Sequence, residues 1–480
     1  MENKFKKITS LWIITVLILF VVAIILGLLM RFNQGGNIKL DPVTFYTDMT
    51  IHGLTMIGIW FVAGMAAVNY IMERYVRTSY KANLIAYIMT VVGVLMLWGA
   101  GFIGKFHAGW TFLYPLPFKI MWEQWATPLF LYALLVLGVG WTIWTVSLMI
   151  SLLKKYTLSQ VFAWQHFKRD AKPEVETPPF VLISMISLVG VLSCLITAAA
   201  LDFLLLTEYY SNGGFINDAL LMKNLTYFFG HTLANEMLYL GLAVIYELFS
   251  EVSGRPKWKT SWYVAYAWNL TLFFVLFAFL HHMYMDFVQP ETLQIIGQLA
   301  SYLASIPSTG VTIFSILVAV YGTKINWNLA NLMFFIGTAG WVSGGIGAVI
   351  DATISNNFLL HNTLWVPAHF HTYNALGNVL FSLGFFYWFS FQLKDGIIKD
   401  KHSMLKILLI VIGGIGFLAA FYFAGADSVA RRYANYPEEM ASGKFWATFG
   451  GTFATIYLLG IILFIGGILK RCFGFVFSRV

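Results

Sequence analysis

Long apolar stretches alternate with short polar pieces along the whole chain. About 20 apolar residues in a helix cross a hydrocarbon core. On that measure the sequence predicts twelve spans, at about 10–30, 47–72, 83–104, 125–153, 180–207, 217–250, 262–287, 293–322, 328–350, 362–393, 405–425 and 445–469. A backbone in lipid must satisfy its own hydrogen bonds, and runs of this length do so as helices rather than barrel strands. The first run, Ser10–Met30, is too long for a cleavable leader and lacks a small-residue cleavage site, so it reads as the first span. The expectation is an all-α membrane protein, with residues 1–480 forming a single twelve-helix transmembrane domain.

Composition agrees: 59% of residues are hydrophobic and 11% charged, against about 25% charged in soluble domains. With the N-terminus inside, 22 of the 30 lysines and arginines fall on the cytoplasmic side, including Lys4, Arg74, Lys154, Arg169, Lys172, Lys257, Lys394, Lys399, Lys401 and Arg479. The outer side keeps Arg31, Lys39, Lys105, Lys119, Lys223, Arg431, Arg432 and Lys444. The positive-inside rule therefore places both termini in the cytoplasm. It also accounts for the net charge of +8 without a nucleic-acid partner. Cys194 and Cys472 are too few and too far apart for a disulfide framework or a cysteine metal cluster. The piece at about 154–179 reads as a polar connector.

Six of the ten histidines fall within spans. Tracing chain direction through the topology puts His52, His231, His281, His282, His369 and His371 in the outer part of the membrane, on four helices. One intramembrane histidine can be a simple helix–helix hydrogen bond. Six at one depth point to metal or heme ligation by neutral imidazole. His369 and His371 are two residues apart, so they face directions about 200° apart on one helix. The arithmetic suits one bis-histidine heme, one mono-histidine heme with an open position, and one three-histidine metal. His166 and His402 read as solvated inner-loop residues, and His107 as an outer-loop one.

The segment His361-Asn-Thr-Leu-Trp-Val-Pro-Ala-His369-Phe-His371 resembles subunit I of the heme–copper oxidase superfamily, most closely its B-type branch. His281-His282-Met-Tyr-Met-Asp286, Gly109-Trp110-Thr111 with Tyr114-Pro115, and Arg431-Arg432-Tyr433 resemble further motifs of the same family. The resemblance implies that His369 ligates a high-spin heme, that His52 and His371 ligate a low-spin heme, and that His231, His281 and His282 hold a non-heme metal, copper or iron. It implies that Arg431 and Arg432 pair with heme propionates, with His361 near those of the reactive heme. It also implies a bacterial or archaeal cytoplasmic membrane.

Oxygen-reducing members carry a tyrosine linked to a metal-ligand histidine. In two branches it lies four residues after the first metal histidine, where this chain has Asn235. In another it lies six residues before the histidine pair, where this chain has Val275. Tyr239 is about 12 Å along the helix from His231, too far for that bond. Nitric oxide reductases of the superfamily lack the tyrosine and often place a glutamate in the pocket. Asn235 and Glu236 are therefore the catalytic candidates, although Glu236 points about 140° away from His231 on a helical wheel. The expectation is a nitric oxide reductase. The alternatives are a B-type oxygen-reducing oxidase and a non-catalytic heme electron-transfer protein.

For proton supply, Ser308 and Thr312 after Pro307 resemble the B-type channel, with Tyr239, Tyr246 and Glu247 on span 6. Hydroxyls bonding their own helix carbonyls are the alternative. No Cys-x-x-Cys-His and no cysteine pair is present for electron uptake. The resemblance implies a subunit II bearing a copper or heme domain, with cytochrome c or quinol as donor, and NO or O₂ as the gas.

Overall fold

The computed structural model describes residues 2–118, 121–168, 174–211, 216–393 and 403–477. Lys119, Arg169, Lys172, Lys394, Lys399, Lys401 and Arg479, used above to orient the chain, and His402, read above as a solvated loop residue, lie outside the described residues. Among the described residues, twelve helices are long and apolar enough to cross a membrane. They are α1 (Glu2–Gln34), α2 (Pro42–Met72), α3 (Tyr80–Ile103), α4 (Ala126–Leu153), α5 (Pro179–Tyr210), α6 (Ala219–Val252), α7 (Trp262–Met283), α8 (Glu291–Val320), α9 (Leu329–Ala352), α10 (Trp365–Leu393), α11 (Ser403–Ala426) and α12 (Glu438–Phe477). Every predicted span is matched by one helix. Several run past the predicted apolar limits, α12 at both ends, because a helix continues into the polar layer while its apolar run does not.

Helix starts follow local chemistry. Asp41, Ser79 and Asp218 cap α2, α3 and α6 through side-chain oxygens that accept from backbone N–H groups. Sequence neighbours α1–α2, α3–α4, α5–α6, α7–α8, α9–α10 and α11–α12 pack together, and α12 returns to α1. The helices α2, α5, α6 and α10 form the most buried part.

The connector 154–179 is not a free loop. It contains the short helix Leu158–Val161 and the 3₁₀ turn Trp164–His166. It is pinned to α7 by Asn269, whose Oδ1 accepts from the Trp164 indole at 3.0 Å and whose Nδ2 donates to the Phe162 carbonyl at 2.9 Å. His166 is accordingly buried, not solvated as its loop position suggested.

Three features shape the centre. The last turn of α7, Phe279–Met283, is 3₁₀, which turns consecutive residues about 120° apart. In α10, a π-helical stretch at Thr372–Asn378 directly follows His371. The third is a glycine row on α9. A Cβ on Gly344 would lie 2.8 Å from the Tyr373 nitrogen, and one on Gly347 would lie 2.9 Å from His369 Cβ. A Cβ on Gly340 would strike the Leu376 carbonyl. Glycine there lets the α9 and α10 backbones approach closely. Gly344→Ala is expected to destabilise the protein by about 1–3 kcal/mol. It should also perturb the optical spectrum of the purified protein, because α10 carries two of the six histidines; a thermal melt with unchanged midpoint would contradict this.

Candidate metal centre

All six intramembrane histidines line one cavity of about 630 Å³. The topological inference from four helices thus becomes a single space. Within it they fall into two groups and a singleton.

His52 on α2 and His371 on α10 face each other with ring centres 6.4 Å apart and planes within 15°. His52 Nδ1 lies 2.7 Å from the Ala23 carbonyl, and His371 Nδ1 lies 2.7 Å from the Pro367 carbonyl. Each Nδ1 is thereby the donor, which leaves each Nε2 as a lone pair facing the gap. A metal–nitrogen bond of about 2 Å at each ring, plus roughly 1 Å from nitrogen to ring centre, predicts about 6 Å between centres. The pair fits one iron held between two imidazoles.

The second group is His231 on α6 with His281 and His282 on the 3₁₀ turn of α7. Their ligand atoms lie within 4.8 Å of one another, slightly wider than a bound ion of this kind requires. Ser301 Oγ lies 3.0 Å from His281 Nδ1, which directs His281 Nε2 inward. Asn235 Nδ2 donates to the His231 carbonyl at 3.0 Å and lies 3.1 Å from His231 Nδ1. The singleton, His369, is buried on the same cavity, with Asp351 Oδ2 3.8 Å from its Nδ1. The cavity's donor set is therefore the one a low-spin heme, a high-spin heme and a three-histidine metal would need.

Above the histidines, two loops pair. Thr363 and Ala430 form the isolated antiparallel bridge, and Arg431 donates from Nε and Nη2 to Asn362 Oδ1 at 3.2 and 2.9 Å. Arg431 and Arg432 line the cavity. Burial, with Arg432 alongside, lowers the Arg431 pKa to about 10, so it remains a cation at neutral pH. His361 adjoins this pair without lining the cavity; burial and the nearby Arg431 and Lys223 push it down to about 4.

Two expected residues are elsewhere. Glu236 does not line the cavity; it turns into the α5–α6 seam against Gly190, the direction its place on the helical wheel requires. Glu247 is no free proton carrier. Its carboxylate accepts from Arg74 at 3.0 Å, Tyr75 at 2.6 Å and Lys257 at 2.9 Å. The other path candidates divide. Tyr246 and Thr312 hydroxyls meet at 3.1 Å, and Thr312 and Ser308 also bond their own helix carbonyls. Tyr239 instead packs edge-on to Trp268, outside the cavity lining. Val275 is fully buried and also outside that lining.

Sequence reasoning missed several lining residues. Tyr227 lies face to face with His282, ring centres 4.8 Å apart. Tyr373 bonds Ser305, and with Ser301 these extend the α8 hydroxyl row into the cavity. Arg31 on α1 is buried on the His371 side of the cavity, with its guanidinium over Phe421. Spacing from a histidine signalled the tyrosines: Tyr227 precedes His231 by four residues, and Tyr373 follows His369 by four.

The family described as "Cytochrome C and Quinol oxidase polypeptide I" matches residues 7–462. Cytochrome c oxidase subunit 1 of Synechocystis sp. is 26% identical over 425 residues, covering 85% of this chain and 73% of the relative. That of Thermostichus vulcanus is 25% identical over 471 residues, covering 93% and 80%. The heme–copper oxidase subunit I+III of Aeropyrum pernix is 24% identical over 495 residues, covering 97% of this chain and 57% of that longer protein. A solved heme–copper terminal oxidase dimer superposes with a TM-score of 0.79 at 21% identity, covering 99% of this chain and 84% of that one. The chain belongs to the heme–copper oxidase subunit I superfamily, respiratory oxidoreductases whose members bind hemes and a copper site. It is a multi-pass protein of a prokaryotic membrane.

Two outcomes are expected. His371→Ala should abolish the bis-histidine low-spin signature in electron paramagnetic resonance while leaving the three-histidine metal content unchanged by elemental analysis. Glu247→Ala should lower stability by about 1–2 kcal/mol, measured by thermal melt, without changing that metal content.

Proposed function

We propose that this chain is the catalytic subunit of a respiratory gas reductase and that its gas is nitric oxide. In this reading His52 and His371 hold a low-spin heme, His369 a high-spin heme, and His231, His281 and His282 a copper or iron ion. When bound, these groups supply the electrons for 2 NO + 2 e⁻ + 2 H⁺ → N₂O + H₂O. The protein's part is to fix the imidazoles, anchor heme propionates on Arg431 and Arg432, exclude water, and bring protons to the cavity.

The observation that carries the choice of gas is Asn235. It occupies the position from which a tyrosine would reach the first metal histidine, and its amide lies against His231. An amide cannot give up an electron and a proton as a phenol can, and coupling two NO molecules does not require it. Protons would reach the cavity through Tyr246, Thr312 and Ser308, continued by Ser305 and Tyr373. Electrons would come from a subunit II with a copper or heme domain, itself served by cytochrome c or quinol. Both termini would lie in the cytoplasm, a reading that the excess of basic residues on one side supports.

Oxygen reduction is the second reading. The relatives are named cytochrome c oxidases, and two phenols, Tyr227 and Tyr373, line the cavity. The deciding experiment gives the reduced purified complex either gas, measuring N₂O by gas chromatography and O₂ uptake at an electrode. Stoichiometric N₂O with slow O₂ uptake is expected; rapid O₂ uptake without N₂O from NO overturns the proposal. Asn235→Ala, which frees the His231 ring, should weaken metal retention at the triad about tenfold to a hundredfold, read by metal content after dialysis against a chelator.

A further inference from the structure

A second cleft, of about 580 Å³, lies between the start of α3 and the end of α4, a volume in the range of small-ligand sites. Its mouth is cationic. Arg77, in the loop before α3, and Lys154, at the C-terminal cap of α4, both line it. Lys154 is the first charged residue after the uncharged run Ala126–Leu153, so it marks the level at which α4 leaves the hydrocarbon. Among the described residues no carboxylate lines the cleft.

The neighbouring cations are already engaged. Arg74 donates to Glu251 at 2.7 Å and to Glu247 at 3.0 Å, and Lys155 donates to the Tyr75 carbonyl at 2.6 Å. Lys155 thereby staples the loop of residues 73–79 to the end of α4. Inside that loop the Glu73 carboxylate accepts from the Thr78 N–H at 2.6 Å. The loop that carries Arg77 is therefore fixed, while Arg77 and Lys154 make no ion pair among the described residues.

Below the mouth the cleft follows one face of α4. Ile150, Val146 and Ile143 line it at helical spacing, as far as Thr142. From Lys154 to Thr142 is about 18 Å along the axis, at least the roughly 15 Å of one leaflet's hydrocarbon. Ser147 supplies a donor partway down. Thr142, Thr145 and Ser151 donate to the carbonyls four residues back at 2.8, 2.8 and 2.9 Å, the usual arrangement in membrane helices. Ser147, on the cleft, makes no such bond.

We propose that this cleft binds one anionic phospholipid, with its phosphate between Arg77 and Lys154 and an acyl chain along Ile150, Val146 and Ile143. Charge and depth together select that occupant. A free anion would use only the mouth, whereas an apolar groove as deep as a leaflet suits an acyl chain beneath a phosphate. Basic pockets between transmembrane helices hold anionic headgroups in this way. Thr142 and Ile143 line the histidine cavity as well as the cleft, so the end of the acyl chain stands at the wall between bilayer and cavity. The proposal is independent of the gas that the cavity reduces.

The test is native mass spectrometry of the purified, heme-loaded complex, delipidated and then given phosphatidylglycerol or phosphatidylcholine. One phosphatidylglycerol adduct is expected to survive collisional activation that strips phosphatidylcholine. Arg77→Gln with Lys154→Gln should weaken phosphatidylglycerol binding about thirtyfold, the worth of two surface cations. Lys7→Gln with Lys324→Gln removes the same charge from exposed positions outside the cleft and should leave the adduct unchanged. Val146→Trp, which fills the groove and keeps both cations, should also lose the adduct, and inorganic phosphate should not displace it. The optical heme spectrum reports assembly of each variant, and the preference of the unaltered protein for phosphatidylglycerol decides where a variant fails to assemble. Equal retention of the two lipids, an adduct undiminished in Arg77→Gln with Lys154→Gln, equal loss in the Lys7 and Lys324 control, or displacement by inorganic phosphate would each overturn the assignment.

Discussion

A buried imidazole has two nitrogens, and only one of them can face a cofactor. The other must find an acceptor, or its N–H is stranded in the membrane interior at a cost of about 1–3 kcal/mol. At His52 and His371 the acceptors are backbone carbonyls, Ala23 on α1 and Pro367 on α10. Carbonyls of this kind belong to the helices themselves, so the orientation of each ring is set by helix packing. The pairing of α1 with α2 therefore acts directly on the cavity, although α1 supplies no histidine. The 3₁₀ turn at the end of α7 and the glycine row on α9 work toward the same end, bringing rings from separate helices to one depth.

Polar groups away from the cavity are treated in two opposite ways. At Glu247 every oxygen is matched, by a guanidinium, an ammonium and a phenol from different segments. Such a cluster is a clamp, tying α6 to the end of α2 and to the following loop. At Glu236, about three turns closer to the cavity, the same residue type meets no cation among the described residues and has only the Ser187 hydroxyl beside it. The sequence presents both simply as glutamates on one helix. Their difference arises from what the neighbouring helices bring: Arg74 and Lys257 in one case, Gly190 and Ser187 in the other.

Much was legible before any coordinates. The spans could be counted because length, not periodicity, decides a membrane crossing. The histidines could be placed at one depth because chain direction alternates from span to span. Side-chain direction about a helix axis was legible only in relative terms: the wheel placed Glu236 away from His231, without showing that Gly190 would be there to receive it. The connector that buries His166 depends on Asn269, more than a hundred residues away in sequence, and nothing local signals it. Tyr227, Tyr373, Ser301 and Ser305 were missed because tyrosine and serine are common packing residues in such helices. Arg31 was counted as outer-surface charge, because a charge count does not register burial.

The spacing of His369 and His371 has a consequence for timing. Two residues on one backbone stand a fixed distance apart, set by covalent geometry rather than by the packing of separate helices. Phe370 lies between them, its ring parallel to Trp110 with centres 6.1 Å apart. Changes in lipid thickness, temperature or subunit contacts would carry both groups together and leave the gap between them unaltered. In the reading proposed above, an electron passing between hemes held on these two residues would meet a gap that the bilayer does not alter, which would leave the pace to the arrival of protons and of gas.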